Sequence, residues 1–468
     1  MIKNIFLIII LHSFLYTSAQ EDIFISEIII NGNKITKNDI ITRELTFKKD
    51  STYKLKNLEK HILKSKENLT NLLLFNFIEI EKNINKNNAE IIVNLTERWY
   101  IKPFPILELS ERNFNSWWEE FKRSNYSDFS RVNYGLFLVW DNFRGKNDRF
   151  KFKLRRGFKE HYVLSYEIPF LNKNKTIGMN NSIQLFRRKK SFYQTINDTL
   201  MYYTNKDIYT TKDYQTFSEL IYRGGINNTH KIRFQYFRSY LADEIRVLNP
   251  DYIRTNLDYG SYKKLTYQFS KEHRDHIEYP LNGYFIHIEG SKYFEGTSPV
   301  KNFELIGKAE KHTPIYNSLF IGSSIKFKIS SEEYQPYFAQ KALGFDDYVR
   351  GYEYYVIDGQ NFWLSKTAIK YAIVEKTSFE IPYIKMNQFR KSHYSLYLGL
   401  FSDLSYVSDN QNYEENTLSN QLLFGNGICI DYVTYYDKLI RIEFSINHLG
   451  EKGVFLHFSN PFGSKKEL

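Results

Sequence analysis

An arginine and an aspartate carry the chemistry most open to a physical reading. Arg350 stands in Val349-Arg350-Gly351-Tyr352, inside the Tyr- and Asp-rich run from Gly344 to Glu353. Asp403 stands in Phe401-Ser402-Asp403-Leu404-Ser405. A guanidinium presents a planar fork of donors that a carboxylate accepts bidentately. If such a pair is withdrawn from water, removing one partner strands the other charge at a cost of ~3–5 kcal/mol. The chemistry is therefore that of a latch. The competing reading is an exposed Arg-Gly turn in which Gly351 supplies a positive φ. Nothing suggests covalent chemistry: there is no Gly-x-Ser-x-Gly, no Walker loop and no Cys cluster, the one cysteine being Cys429. His273 and His276 flank Arg274-Asp275, a spacing too weak for a metal, since lone His pairs are usually structural. No catalytic residue, metal or cofactor is expected, and the chain is read as not an enzyme.

Both residues depend on strands for their placement. Tyr394, Leu396, Leu398 and Leu400 form one face of an alternating run, and Ser395, Tyr397, Gly399, Phe401 and Asp403 form the other. Lys366 and Lys370 fall in the polar set of the preceding strand and could compete for Asp403. Arg350 sits in a long gap between strands, residues 331–361. Similar alternation recurs throughout 99–462: Val132, Tyr134, Leu136, Leu138 and Trp140 oppose Arg131, Asn133, Gly135 and Asp141, and Ile440, Ile442, Phe444 and Ile446 oppose Arg441, Glu443, Ser445 and Asn447.

The strands are long, and about ten residues suffice to cross a bilayer as a tilted strand. Roughly sixteen are expected, an even number as in bacterial membrane barrels. Long connections (Asn113–Ser130, Lys190–Thr211, Ala242–Tyr252, Ser331–Asn361, Ser408–Thr417) alternate with mostly shorter ones (Phe143–Asp148, Phe170–Lys175, Gly224–His230, Lys311–Asn317, Thr434–Lys438). This is the loop asymmetry of outer-membrane barrels. The 38 Tyr and 38 Phe suit aromatic girdles. Mean hydropathy is −0.49, which excludes a helical membrane protein but not a barrel with alternating strands. The net charge of +11 is spread singly, without a basic helical face or nucleic-acid motif, so no nucleic-acid partner is expected.

Residues 1–19 read as a signal peptide, with Lys3, an apolar run from Ile5 to Leu15, and Thr17-Ser18-Ala19. Residues 20–98 read as a separate domain: a strand from Ile23 to Ile30, a helix N-capped by Thr36, a second helix from the spacing of Leu55, Leu58, Ile62, Leu63 and Leu69, then strands over Phe75–Glu81 and Glu90–Glu97. An uncovered strand edge would offer N–H and C=O groups to an extended client. The candidate edge is Asn76, Phe77, Ile78, Glu79 and Ile80.

Val349-Arg350-Gly351-Tyr352 and the Phe-x-Asp pattern at Asp403 resemble the BamA/TamA family of outer-membrane barrels, although Ser405 stands where the family has Gly. The β-α-α-β-β order of 20–98 resembles a POTRA domain, and one such domain is seen. The last strand, from Gly453 to Phe462, resembles the aromatic strands that close such barrels, with 463–468 as a tail. The resemblance implies a mainly β fold, a transmembrane antiparallel barrel in the bacterial outer membrane with its N-terminal domain in the periplasm. It implies that 331–361 is the sixth extracellular loop, folded into the lumen by Arg350 and Asp403. It implies an assembly factor or translocase that handles unfolded or extended outer-membrane or secreted proteins without nucleotide, in contact with outer-membrane lipid and accessory assembly proteins. The first strand, near Phe104–Arg112, must then pair with the last to close the cylinder at a weak lateral seam, with Pro105, Ile106, Val454, Leu456 and Phe458 as its residues. Pro103, Pro105 and Pro461 each lack an N–H at or near it. The alternative is a passive channel or a scaffold for a partner protein.

Overall fold

The computed structural model describes residues 22–109, 114–127, 132–205, 207–294, 296–298, 300, 302–331, 334–411, 415–460 and 462. The expected signal segment, the tail and Pro461 lie outside them. The chain divides into two compact units after Arg98.

The first unit comprises β1 (Asp22–Asn31), α1 (Asn38–Glu44), β2 (Thr52–Lys54), α2 (Leu55–Asn71), β3 (Phe75–Asn85) and β4 (Asn88–Glu97). Its sheet runs in the order β2-β1-β4-β3, with β1 parallel to β4. Ile23 and Ile25 of β1, Ile40 and Ile41 of α1, Leu58 and Leu69 of α2, and Ala89, Ile91 and Val93 of β4 are fully buried. The period-two burial of β4 and the helical spacing in α2 thus converge on one core. Strand β2 is an addition to the expected order, too short to show periodicity. Thr36 is not the N-cap; Lys37 occupies that position without a side-chain cap. The Thr36 hydroxyl instead donates to Glu97 Oε1 at 2.6 Å, and the same carboxylate accepts the backbone N–H groups of Lys34, Ile35 and Thr36. A buried carboxylate needs several donors, and this claim outweighs capping.

The second unit contains β5 (Ile101–Leu109), α3 (Phe114–Arg123), β6 (Val132–Asp141), β7 (Arg149–Gly157), β8 (Lys159–Ile168), β9 (Ile177–Arg188), β10 (Lys190–Ile196), β11 (Thr199–Thr204), β12 (Thr211–Tyr222), β13 (Asn228–Leu241), α4 (Asp243–Leu248), β14 (Tyr259–Glu272) and β15 (Gly283–Phe294). It continues with β16 (Phe303–Tyr316), β17 (Leu319–Ser330), β18 (Lys341–Leu343), β19 (Ile357–Asp358), β20 (Asn361–Glu380), α5 (Asn387–Arg390), β21 (Lys391–Ser408), β22 (Leu422–Thr434), β23 (Lys438–Asn447) and β24 (Lys452–His457). Sixteen strands form one antiparallel sheet from β5 to β24, each beside its sequence neighbour except where the hairpins β10–β11 and β18–β19 interrupt as separate sheets.

Burial inverts the soluble pattern. On β23 Arg441, Glu443, Ser445 and Asn447 are buried, whereas Ile440, Ile442, Phe444 and Ile446 are exposed. On β21 Ser395, Asp403 and Ser405 are buried and Leu398, Leu400 and Leu404 exposed. Polar groups inside and aliphatic groups outside make a wall suited to lipid. Among the described residues no helix is long and apolar enough to cross a membrane.

Several boundaries differ from expectation. Most of Lys311–Asn317 is strand, because a bulge between Pro314 and Tyr316 lets β16 continue past a proline. The connection from Ala242 extends to Asp258, and that from Ser408 to Gln421. The first strand starts at Ile101, and residues 110–112 of its expected span lie outside the described residues; the last strand ends at His457, so Phe458 and Phe462 lie beyond it. No ladder among the described residues joins β5 to β24: β5 pairs with β6 and β24 with β23. After β24 the chain turns inward, where Phe462 is buried against Ala368, Phe401 and Cys429 and its carbonyl accepts a hydrogen bond from Lys308.

Candidate functional site: a buried ion pair and the two end strands

The loop after β17 enters the sheet's buried side. Gly351 has φ +94°, a left-handed conformation that glycine adopts without a Cβ clash. This turn aims Arg350 at β21. Arg350 and Asp403 are both fully buried. Arg350 Nε donates to Asp403 Oδ2 at 2.9 Å, Nη2 donates to Oδ1, and the Arg350 backbone N–H adds a bond to Oδ2 at 3.1 Å. Nη2 also reaches the Thr367 carbonyl at 3.3 Å. The guanidinium lies 3.9 Å from the centroid of the Phe401 ring, a cation–π contact.

The neighbouring motif residues complete the seat. Val349 and Tyr352 join an apolar cluster with Leu343, Ile357, Phe362, Leu364, Val407 and Leu423. The Tyr352 hydroxyl meets His448 Nδ1, and Asn447 Nδ2 donates to the Gly351 carbonyl at 3.0 Å. Lys366 and Lys370 do not take Asp403. Lys366 stands across from it in register, but its ammonium lies 4.3 Å from the Tyr348 ring centroid. Lys370 lies 3.9 Å from that of Tyr279. Ser405, in the glycine position of the motif, donates to the Trp363 carbonyl at 2.5 Å.

The seam residues sit on the two end strands. Pro105 and Ile106 lie opposite Leu136 and Gly135 on β6, and Val454 and Leu456 opposite Phe444 and Ile442 on β23. Leu107 is 81% exposed and Val454 67%, the most open apolar positions near either edge. The Leu456 N–H is accepted at 3.3 Å by Oδ1 of Asn115, which lies on α3. A side chain thus serves a backbone donor on the last strand. In the first unit, Ile78, Glu79 and Ile80 lie on β3, at one end of the sheet order; the side chain of Ile78 is buried and that of Glu79 exposed. The ladder to β4 is irregular between Phe75 and Phe77 and regular beyond. His273 and His276 serve structural contacts: His273 stacks on Tyr284 at 4.7 Å, and His276 Nε2 lies 3.2 Å from Asp437.

Residues 23–98 match the POTRA family model, described as surface antigen variable number repeat. Over 93% of its length, the chain superposes on BamA from Haemophilus ducreyi lacking POTRA domains 1–3, covering 84% of that chain with 14% identity and a TM-score of 0.52. It also superposes over 93% of its length on CdiB from Escherichia coli, covering 76% of that chain with 9% identity and a TM-score of 0.53. The chain thus has the fold of these BamA and CdiB barrels, with one POTRA match at residues 23–98. No curated protein sequence matches it.

Sequence reasoning missed three parts of this site. Gly425 lies across from Asp403, and a Cβ there would collide with the Arg350 carbonyl. Asp431 and Arg441 form a second buried fork, with both bonds at 2.5 Å, and the Tyr279 hydroxyl donates to Asp431 at 2.6 Å. Their shared inward phase on neighbouring strands was the available signal. The β10–β11 hairpin turns at Asn197-Asp198, both at positive φ, as a two-residue Asn-Asp loop permits. Its tip accepts the Val356 N–H at 2.8 Å and holds Leu418 and Thr417 through the Asp198 carboxylate. Three connections are thereby tied together.

Proposed function

We propose that this protein is an outer-membrane assembly factor or translocase that admits client strands between β5 and β24, uses no nucleotide, and holds its POTRA domain in the periplasm. The observation carrying this reading is the pair of end strands with no ladder between them among the described residues. In hydrocarbon an unsatisfied backbone group costs several kcal/mol, so a closed ladder stays closed. An edge whose N–H is served by Asn115 is different. A client strand can replace that side chain bond for bond by strand addition. Pro103 and Pro105 remove two donors from β5 and weaken any ladder it could form with β24. The clients are extended outer-membrane or secreted proteins, in line with the relatives named BamA and CdiB.

Photo-crosslinking residues at Leu107 and Val454 test this, with Ile232 and Phe234 on the exposed wall of β13 as controls. Under the proposal the edge positions capture extended proteins and the wall positions do not. Equal capture at all four positions contradicts it. A passive channel predicts instead an open conductance through the folded protein. The buried latch and the inward-turned Phe462 favour a plugged lumen.

A further inference from the structure

Glu353, Glu443 and His457 converge from three separate elements: the loop just after the Arg350 turn, β23, and the last strand β24. Each offers one ligand atom, and these atoms all lie within 4.8 Å of one another. His457 Nε2 stands 2.9 Å from Glu443 Oε1 and 3.5 Å from Glu353 Oε1. We propose that this is a divalent transition-metal site, of the zinc class, that staples the lumenal loop to the last strand.

Glu443 is 1% exposed, and neither of its carboxylate oxygens has a hydrogen-bond partner. His457 Nε2 has none either, despite its 2.9 Å approach to Glu443. A hydrogen bond needs its acceptor on the line of the N–H. A shared ion occupies that line itself and leaves the second ligand to the side. Ligands bonded at about 2.0–2.2 Å to a tetrahedral ion stand roughly 3.4 Å apart, close to the separations here.

The surroundings also orient the ligands. His457 Nδ1 lies 3.4 Å from the Tyr348 hydroxyl, so a proton held there leaves Nε2 bare for a metal. The Gly351 N–H holds Glu353 Oε2 at 2.9 Å and turns the other oxygen toward His457. Charge points the same way. Arg350 and Arg441 are each committed bidentately to Asp403 and Asp431, and Arg441 Nη1 reaches Glu443 only at 3.9 Å. Glu443 therefore has no arginine in bidentate contact, and a dication would supply its positive countercharge. One nitrogen and two carboxylates suit zinc, with a fourth position open to water. The site is not legible from sequence, because its ligands lie on separate segments.

The test uses the full-length protein, folded in detergent, stripped with EDTA and then titrated with Zn²⁺ against a chromophoric chelator. Heat-modified gel mobility verifies that each variant retains its barrel. The expected result is one Zn²⁺ per chain, with affinity falling at least about tenfold in Glu353→Gln, Glu443→Gln and His457→Gln, and in Tyr348→Phe as an orienting residue. His312→Gln serves as the control and keeps the ion. Co²⁺ bound to the unmutated protein should give the intense visible absorption of a four-coordinate site, a readout that stands even if a β23 or β24 variant fails to fold. Unmutated protein that binds no Zn²⁺ above the chelator background, or that binds it no better than Glu353→Gln, would overturn the site and leave an imidazolium bridge.

Discussion

At the scale of single residues, the latch is a fully buried ion pair held by both side-chain and backbone donors. Replacing either partner leaves the other charge without its match, at a cost of ~3–5 kcal/mol. Arg350→Ala and Asp403→Ala should therefore each expose the loop to protease. The double variant should cost less than the sum, because the second substitution removes the stranded charge. Additive losses in a double-mutant cycle would count against a coupled pair. Gly425→Ala should act on the same loop without touching a charge, since its Cβ meets the Arg350 carbonyl. Matching protection in that variant and the parent would show that the close approach is not needed. Arg350 and Asp403 were both legible from the sequence, one from its motif and the other from strand phase. Gly425 was not, because nothing in a strand's own pattern tells which neighbouring carbonyl will cross it.

At the scale of elements, the loop over residues 331–360 has a pH-sensitive anchor. Asp358 on β19 accepts a hydrogen bond from Thr195 Oγ1 at 2.5 Å. Burial raises its carboxyl from an ordinary value of 3.8 to about 7, outweighing that bond and the nearby lysines. The folded state thus holds the proton more tightly than the unfolded chain does. The stabilisation is complete below about pH 4, fades as pH rises toward 7 and is lost above it. Proteolysis of the loop should be faster at pH 8 than at pH 5, and Asp358→Asn should flatten this dependence. An unchanged profile in that variant would assign the effect elsewhere. In the first unit, client capture is expected along Ile78, Glu79 and Ile80. A photo-crosslinker at Glu79 should capture extended peptides, whereas one at Lys66, exposed on α2, should not. Capture from both positions alike would exclude an edge site. Strand and helix periodicity made these elements readable. The hairpins β10–β11 and β18–β19 were hidden in long connections, because each is stabilised by other loops rather than by an apolar face of its own.

At the scale of the whole molecule, alternation along sixteen strands was visible in the sequence because lipid demands apolar groups on one face of every strand. Closure was not, since it depends on two short segments far apart in the chain. The last strand stops at His457, and the segment to Phe462 is drawn inward by Lys308 and an apolar pocket. Function is expected to need β5 and β24 to separate around a client strand. This is tested most directly by placing cysteines at Leu107 and Val454 in a Cys429→Ser background and joining them with a short reducible crosslinker. Client assembly or export should stop when the edges are joined and return on reduction, while either single cysteine remains active. Undiminished activity in the fully crosslinked protein would contradict lateral opening.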